Sequence, residues 1–320
     1  MAGLTREQRR AYDEEGYVLL KSLLKPQEIQ GLVEELEAMV DKVAREYKAA
    51  GRIDSLYENE GFKTRLNKMV EDDPAAYDEL VGSRGTVSTP QPALGPEMFR
   101  LLSHPELLDI VEGIVGPEIR CEGRHRLRSK LPGFNVADFR WHEDTAYAAR
   151  RVTYVQQQYG LGAADPSQDG AFLSRIVAEP QMAEPNFWIP LVDVDKENGC
   201  LQMLPGGHLH TTAYEDDWRP NSYVGELDGL APVAVPMQVG DALLIHQHLP
   251  HASPPNRSDH IRWSVDIRFQ DDRRKTKSVR EPGFLARSKE RPQDVVTEYA
   301  GYVQIREAVK EFQRKTKIRL

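Results

Sequence analysis

The tripeptide His142-Glu143-Asp144, at the centre of the stretch DFRWHEDTAY, is well suited to binding a metal ion. On a strand, His142 and Asp144 would project to the same side and Glu143 would point away. One further histidine would complete a 2-His-1-carboxylate set, which suits non-haem Fe(II) and leaves coordination positions open. The tripeptide alone is weak evidence, because nine histidines and 50 acidic residues could form it by chance as a surface pair.

The segment 241–270 could supply the third ligand and a binding group for a carboxylate. Its candidate ligands are His246, His248, His251 and His260. Spacing alone does not distinguish these four. The strand predicted at 261–270 alternates strictly between apolar and polar residues, and its polar face carries Arg262 and Ser264. A guanidinium and a hydroxyl there could clamp a carboxylate. The same alternation is also typical of a half-exposed antiparallel strand.

A second alternating segment, 119–131, places cations on one predicted strand face. These cations are Arg124, Arg126, Arg128 and Lys130. Because alternate side chains of a strand share a face, the four could form a cationic wall inside a pocket. Such a wall would suit an acidic group on a substrate. The alternative is a solvated outer face, which the pattern alone favours.

Short strands separated by Gly, Pro and Asn turns predict a β-sandwich or a closed barrel after position 116. The predicted strands are 119–131, 186–195, 200–204, 233–235, 241–246 and 261–270, in addition to 17–20. Apolar residues at helical spacing predict helices before and after this region. The predicted helices are 5–15, 27–47, 98–102, 105–115 and 295–316.

Composition narrows the classes of function. The chain has 320 residues, 40% of them hydrophobic, and a net charge of −8, which is typical of a soluble globular protein. This acidic balance offers no general attraction to nucleic acid or to anionic membranes. No apolar stretch is long enough to span a membrane, and the N-terminus has no signal-like apolar region. Cys121 and Cys200 match no zinc or redox spacing and are expected to be buried thiols. We therefore expect a cytoplasmic location.

The motifs in combination resemble a known family. Their order is H-x-D, then ENGCLQMLPGGH at 197–208, then Gly240-Asp241, then H-x10-R-x-S, in which the histidine is His251. This order resembles the phytanoyl-CoA dioxygenase family of iron- and 2-oxoglutarate-dependent oxygenases. The resemblance covers about residues 4–48 and 117–270. It implies a mainly β fold with flanking helices, built on a double-stranded β-helix of the jelly-roll or cupin-like type.

The resemblance also implies the roles of individual residues. Its ligands for Fe(II) would be His142, Asp144 and His251. Arg262 and Ser264 would bind the distal carboxylate of 2-oxoglutarate. A second contact with this co-substrate would come from Lys130. The expected substrate residues are Tyr147, Arg128, Trp188 and Gln202.

The expected layout is a single domain over residues 1–320. A mostly helical support would occupy 1–116, and the jelly-roll core 117–270 would contain a lid or insertion at 148–185. A charged C-terminal extension would follow at 271–320. The insertion is longer than expected for the family, so the substrate entrance is expected to be remodelled.

The expected reaction uses Fe(II), 2-oxoglutarate and dioxygen to hydroxylate a C–H bond of a small-molecule substrate, with release of succinate and CO₂. Asp144 favours hydroxylation over halogenation, while desaturation and cyclisation stay open. Two other classes also stay open. A cupin-type isomerase or hydrolase with zinc or manganese would need the triad but not Arg262 and Ser264. A non-catalytic metal-binding module is the other. The sequence leaves the substrate and the oligomeric state undetermined.

Overall fold

Antiparallel strands with flanking helices make up the described chain. The computed structural model describes residues 3–81, 86–88, 95–123, 125–133, 139–144, 183–209, 229–273 and 283–316. The helices are α1 (Arg6–Glu15), α2 (Pro26–Ala49), α3 (Arg65–Asp72), α4 (Ala75–Val81), α5 (Pro96–Leu102), α6 (Pro105–Val115) and α7 (Tyr299–Thr316). The first six strands are β1 (Tyr17–Leu20), β2 (Thr86–Ser88), β3 (Ile119–Cys121), β4 (Arg126–Lys130), β5 (Phe139–His142) and β6 (Asn186–Pro190). The others are β7 (Gln202–Met203), β8 (Val233–Ala234), β9 (Ala242–Ile245), β10 (His251–Ser253), β11 (Arg262–Asp271) and β12 (Phe284–Arg287).

The larger sheet is organised around β11. Its strand order is β1-β9-β6-β11-β3-β12, and β4 also pairs with β11 and carries β2 on its other edge. All ten residues of β11 are buried, so both faces of the strand are covered by protein. The half-exposed alternative for this strand is therefore wrong, and its polar face points into the molecule.

The smaller sheet has the strand order β5-β10-β7-β8. In its register His251 lies opposite His142, and also opposite Met203 on the other side of β10. Cross-strand partners in an antiparallel sheet lie within about 5.5 Å of each other at Cα, so this register brings two distant histidines together.

Helix α1 and strand β1 lie where the sequence predicts them, α2 extends slightly beyond the predicted 27–47, and α3 and α4 were not predicted. Thr5 and Gln8 form a reciprocal capping box at the start of α1, with Gln8 N donating to Thr5 Oγ1 at 3.2 Å. Gly16 ends the helix at a φ of 83°, a conformation that favours glycine. The apolar stripe of α2 is buried, as predicted, at Ile29, Leu32, Leu36, Val40 and Val43.

One predicted strand is divided in two. The prediction of a single strand over 119–131 is wrong, because β3 and β4 pair with different parts of β11. Cys121 lies opposite Phe269, and Arg126 opposite Asp266. Between these two pairs the chain advances by five residues from β3 to β4, whereas β11 advances by three. Two residues of the segment between β3 and β4 therefore do not pair with β11. A shift of two residues keeps the same side chains on each face, which explains why the alternation continues across the break.

Other strands differ in length or were not predicted. The strand predicted over 186–195 is shorter, since β6 ends at Pro190 and only an isolated bridge joins Val194 to Met237. The charged C-terminal region contributes β12, which pairs with β3. Four residues of moderate apolarity within a charged segment gave no clear strand signal.

Helix α7 packs back onto the fold, as predicted. Tyr302 is buried and its ring lies 5.0 Å from Phe284 and 5.9 Å from Phe99, measured between centroids. Cys121 and Cys200 are free and buried, which confirms the expectation for both. Across the part of the chain that the structure describes, no helix is long and apolar enough to cross a membrane.

Candidate metal centre and its cavity

Three side chains from two distant segments of the chain meet between the two sheets. His142 is the last residue of β5, and His251 is the first residue of β10. Asp144 follows the end of β5, so the expectation that it lies on the same strand as His142 is wrong. The ligand atoms of the three residues nevertheless all lie within 4.8 Å of one another. Two imidazoles and a carboxylate are thus placed to bind one ion.

A backbone contact fixes which nitrogen of His251 faces the site. Nδ1 of His251 lies 2.9 Å from the carbonyl oxygen of Leu249. Because a carbonyl oxygen only accepts hydrogen bonds, Nδ1 carries a proton here and Nε2 is the nitrogen left to bind a metal ion. Histidine ligands of metals are commonly oriented in this way, through the ring nitrogen that does not bind the metal.

Two residues that the sequence did not single out hold the carboxylate of Asp144. Arg268 Nη2 donates to Oδ1 at 2.8 Å, and Asn186 Nδ2 donates to Oδ2 at 2.7 Å. Burial alone would raise the pKa of Asp144, but Arg268 and the two histidines of the site lower it well below its ordinary value. The carboxylate is therefore ionised and fixed in orientation. The alternating polar face of β11 was the only signal in the sequence for Arg268.

A cavity that is partly open to solvent contains the three residues. Its lining is Arg128, His142, Asp144, Asn186, Trp188, Leu201, Ile245, His251, Ser253, Arg262, Asp266 and Arg268. Strands β4, β6, β9 and β11 of the larger sheet and β5 and β10 of the smaller sheet all contribute to this list. The cavity therefore lies between the sheets and opens onto the candidate metal centre.

Arg262 lies in the same cavity. Its side chain is buried, its Nη1 donates to the carbonyl oxygen of Gly199 at 3.3 Å, and its guanidinium lies 5.2 Å from the Trp188 ring centroid. Ser264 follows two residues later on the same face of β11. Its hydroxyl oxygen is buried and has no hydrogen-bond partner within the described chain, although it does not line the cavity.

The other predicted site residues are placed as follows. Trp188 lines the cavity, and so does Arg128, whose Nε donates to Asp266 Oδ2 at 2.5 Å. Lys130 is fully buried, but its ammonium donates to the carbonyl oxygens of Ser253 and Pro254 rather than into the cavity. Gln202 is half-buried in β7 and lies outside the cavity lining.

Some predictions concern positions without a described placement. Tyr147, Arg124 and residues 148–182 of the predicted insertion lie outside the described residues. Arg126 is half-buried on β4, and its Nη1 donates to the carbonyl oxygen of His125 at 3.1 Å. Neither alternative for the cationic face is thus correct as a whole, since Lys130 is buried, Arg128 lines the cavity and Arg126 is only half-buried.

The remaining histidines of 241–270 do not join the centre. Within the ranges given above, His142, Asp144 and His251 form the one group whose donor atoms are close enough to share an ion. His246 and His248 lie elsewhere, with ring centroids 5.6 Å apart, and His260 contacts Asp259. The choice of His251 among four candidates therefore agrees with the geometry.

Comparisons with known proteins show a family and a fold. The phytanoyl-CoA dioxygenase (PhyH) family model matches residues 12–264. Peroxisomal phytanoyl-CoA dioxygenase of Bos taurus is 26% identical over 280 residues, which cover 84% of this chain and 69% of that protein. Phytanoyl-CoA dioxygenase domain-containing protein 1 of Mus musculus is 31% identical over 127 residues, covering 37% of this chain and 42% of that one.

Solved structures resemble this chain over most of its length. The non-haem monooxygenase ThoJ, in its apo form, has a TM-score of 0.54 at 17% identity, with 96% of this chain and 98% of that chain covered. The 2-oxoglutarate-dependent epimerase SnoN from nogalamycin biosynthesis has a TM-score of 0.50 at 20% identity, with 83% and 82% covered. At these identities the likeness concerns the fold, and it confirms the predicted jelly roll with flanking helices.

Proposed function

This chain belongs to the phytanoyl-CoA dioxygenase family, and we propose that it is an Fe(II)- and 2-oxoglutarate-dependent dioxygenase that hydroxylates a C–H bond of a small molecule. One observation carries the proposal. The donor atoms of His142, Asp144 and His251 lie within 4.8 Å of one another, in the same cavity as the buried Arg262. A metal-dependent hydrolase would need the first part of this arrangement but not the second.

The donor set fits Fe(II). His251 offers Nε2 as its ligand atom, because its Nδ1 donates to Leu249, and Asp144 offers an ionised carboxylate. Together with His142 the site has two nitrogen donors and one oxygen donor, which is the set typical of non-haem iron oxygenases. Iron bound there would supply the oxygen chemistry, in which 2-oxoglutarate, O₂ and a substrate C–H bond give succinate, CO₂ and a C–OH group.

The residues of β11 fit the distal carboxylate of 2-oxoglutarate. Arg262 would bind it through two parallel hydrogen bonds, and the Ser264 hydroxyl would add a third. The buried and unpartnered Ser264 oxygen supports this role, because native proteins rarely leave such atoms unsatisfied. For Lys130 we propose an indirect role. Its bonds to Ser253 and Pro254 hold the segment that follows His251, which would keep this ligand in place.

Apolar side chains complete the cavity. Trp188, Leu201 and Ile245 line it beside the polar groups and are buried. Such walls limit the access of water, which strengthens the electrostatic interactions inside and protects reactive species. The chain itself thus contributes binding, orientation and exclusion of water.

We further propose one domain over residues 1–320. In support, β1 near the start and β12 near the end belong to the same larger sheet. The expected partner is a small-molecule substrate, with no nucleic acid and no membrane. The cytoplasmic location stays a prediction, since the bovine relative is described as peroxisomal.

An anaerobic titration tests the proposal without a known substrate. Purified protein is given Fe(II) and then 2-oxoglutarate, and the visible charge-transfer band of the chelate is recorded. We expect the band with 2-oxoglutarate and not with glutarate, which lacks the keto oxygen needed for chelation. Admission of O₂ should then release succinate slowly. Binding of Zn(II) together with no band from Fe(II) and 2-oxoglutarate would instead favour the hydrolase.

A further inference from the structure

The charged groups of the cavity are already paired within the protein. Arg128 donates to Asp266 through both Nε and Nη2, and Arg268 donates to Asp144. Under the proposed function the third arginine of the lining, Arg262, binds 2-oxoglutarate. Within the described lining, each arginine therefore has an anionic partner other than the substrate. The expectation that Arg128 attracts an acidic substrate loses its support.

Two acceptor atoms in the same lining have no partner. Oδ1 of Asp266 and Oδ1 of Asn186 are buried and accept no hydrogen bond within the described chain. Both residues are only 3% exposed, and both line the cavity. The amide of Asn186 cannot turn to avoid this, because its Nδ2 must face the Asp144 carboxylate, which only accepts.

The two residues that carry these acceptors lie on neighbouring strands, and both line the cavity. Asp266 is paired with Trp188, and Arg268 with Asn186. Asn186 and Asp266 are thus diagonal neighbours on one face of the sheet, with Cβ atoms roughly 7 Å apart. One small molecule carrying two donors a few ångströms apart could contact both atoms. Because Asn186 also holds Asp144, such a molecule would lie beside the metal centre.

We propose that the substrate is a small polar molecule that presents hydroxyl or amine donors to Asp266 and Asn186, and that it is not held by an anionic group. This inference rests on the proposed function, since it places the substrate beside the metal and assigns Arg262 to 2-oxoglutarate. The carbon next to the donor at Asn186 is the position closest to the oxidising centre. An unfunctionalised acyl chain would leave both acceptors unsatisfied, which is costly for buried polar groups.

Four probes of the same ring shape test this inference. They are trans-1,2-cyclohexanediol, trans-2-aminocyclohexanol, 1,2-dimethoxycyclohexane and cyclohexane-1,2-dicarboxylate. Binding to the Zn(II)- and 2-oxoglutarate-loaded protein is measured by saturation-transfer NMR. Affinity for 2-oxoglutarate is measured separately by calorimetry. We expect the diol or the amino alcohol to bind at least about tenfold more tightly than the other two, as loss of a hydrogen bond to a charged group predicts.

The two readouts separate the two proposals. Equal or tighter binding of the dicarboxylate overturns the substrate inference, and so does failure of both donor probes while 2-oxoglutarate binds. Failure of 2-oxoglutarate to bind, with the donor preference retained in protein loaded with Zn(II) alone, overturns the proposed function and leaves the polar character of the cavity supported. Because the affinities of the four probes are compared on the unaltered protein, this comparison tests the substrate inference even if a variant does not fold.

A matched pair of variants assigns the preference to Asp266. Asp266→Asn should weaken binding of the amino alcohol by about tenfold and strengthen binding of the dicarboxylate, because the negative charge paired with Arg128 is removed. Affinity for 2-oxoglutarate should stay within about twofold. Asp272→Asn is the control, since Asp272 is also 5% exposed at its side chain and pairs with Arg120 at 2.5 Å, outside the cavity. Equal effects of the two variants contradict the proposal.

Discussion

His142 and His251 lie directly opposite each other on neighbouring antiparallel strands, with ring centroids 4.3 Å apart. The metal centre is therefore built into the ladder of the smaller sheet. The third ligand, Asp144, is held by the larger sheet through Arg268 on β11 and Asn186 on β6. Metal binding and the relative position of the two sheets are coupled in this way.

The first prediction concerns His251. The change His251→Ala removes one of three ligands and should weaken binding of Co(II) by at least about tenfold to hundredfold, an effect that loss of an outer-shell partner alone can reach. Equilibrium dialysis gives the dissociation constant. His260→Ala is the control, because His260 lies in the same segment and contacts only neighbouring polar groups. Similar losses in both variants would exclude His251 as a ligand.

The second prediction separates the oxygenase from a hydrolase on the same fold. The change Arg262→Ala removes the guanidinium and should weaken binding of 2-oxoglutarate by about hundredfold, since charged hydrogen bonds contribute about 1.5–3 kcal/mol each. Metal affinity should change little. Calorimetry measures both constants. An unchanged affinity for 2-oxoglutarate would remove the main support for the co-substrate. Arg257→Ala, at a residue outside the cavity, serves as the control.

The third prediction concerns the pair of Arg268 and Asp144. In protein stripped of metal by a chelator, Arg268→Met leaves a buried carboxylate without its ion-pair partner and should lower the free energy of unfolding by about 3 kcal/mol. Each side chain of the pair is 10% exposed, so solvent screens the interaction little. Urea denaturation measures the change.

A double-mutant cycle supports this test. Asp144→Asn combined with Arg268→Met should cost less than the sum of the single changes, by about 1 kcal/mol or more. Additive effects would mean that the pair does not interact. Arg45→Met is the surface control, because Arg45 is 58% exposed and its pair with Asp41 should contribute under about 1 kcal/mol.

The fourth prediction concerns pH. His125 is fully buried, and burial, together with the charges of Arg126 and Arg306, lowers its pKa to about 3 from 6.5. The folded state therefore holds this imidazole neutral while the unfolded chain protonates it below pH 6.5. Its contribution to stability is complete above pH 6.5 and is lost as the pH falls towards 3, by up to about 1.4 kcal/mol per pH unit.

Urea denaturation between pH 6.5 and 5 measures this loss. His125→Gln should lower the free energy of unfolding at pH 7. It should also reduce the dependence of this free energy on pH by the amount that one bound proton contributes. A slope remains because His246 is also affected, with burial and nearby histidines lowering its pKa to about 4. Identical slopes for the two proteins would contradict the prediction.

Local patterns predicted several elements, although α3, α4, β2 and β10 were not among the predictions. The stripe of α2, the capping box of α1 and the alternation of β11 are each set by neighbours in the sequence, so they are visible without a structure. The end of β3 and the start of β4 could not be predicted from the sequence, because the break between them depends on how each strand pairs with β11. Strand β12 was missed because its formation depends on the edge that β3 offers.

The candidate site was predicted in part for the same reason. The resemblance to a family pointed to His251, and the structure brings this residue to His142 and Asp144. The pairing of Arg128 with Asp266 depends on register between β4 and β11, which the sequence does not state. A cationic strand therefore suggested an acidic substrate, although its cavity-facing cation is neutralised within the protein.

The register of the first strand has a consequence for synthesis on the ribosome. Residues 17–20 of β1 pair with residues 242–245 of β9. Strand β1 is therefore synthesised more than 200 residues before the strand with which it pairs. Until then the edge of β1 is unpaired. Such nascent chains are prone to aggregate and depend on chaperones. We therefore expect slowed translation at low temperature, or added chaperone, to raise the yield of folded, metal-binding protein.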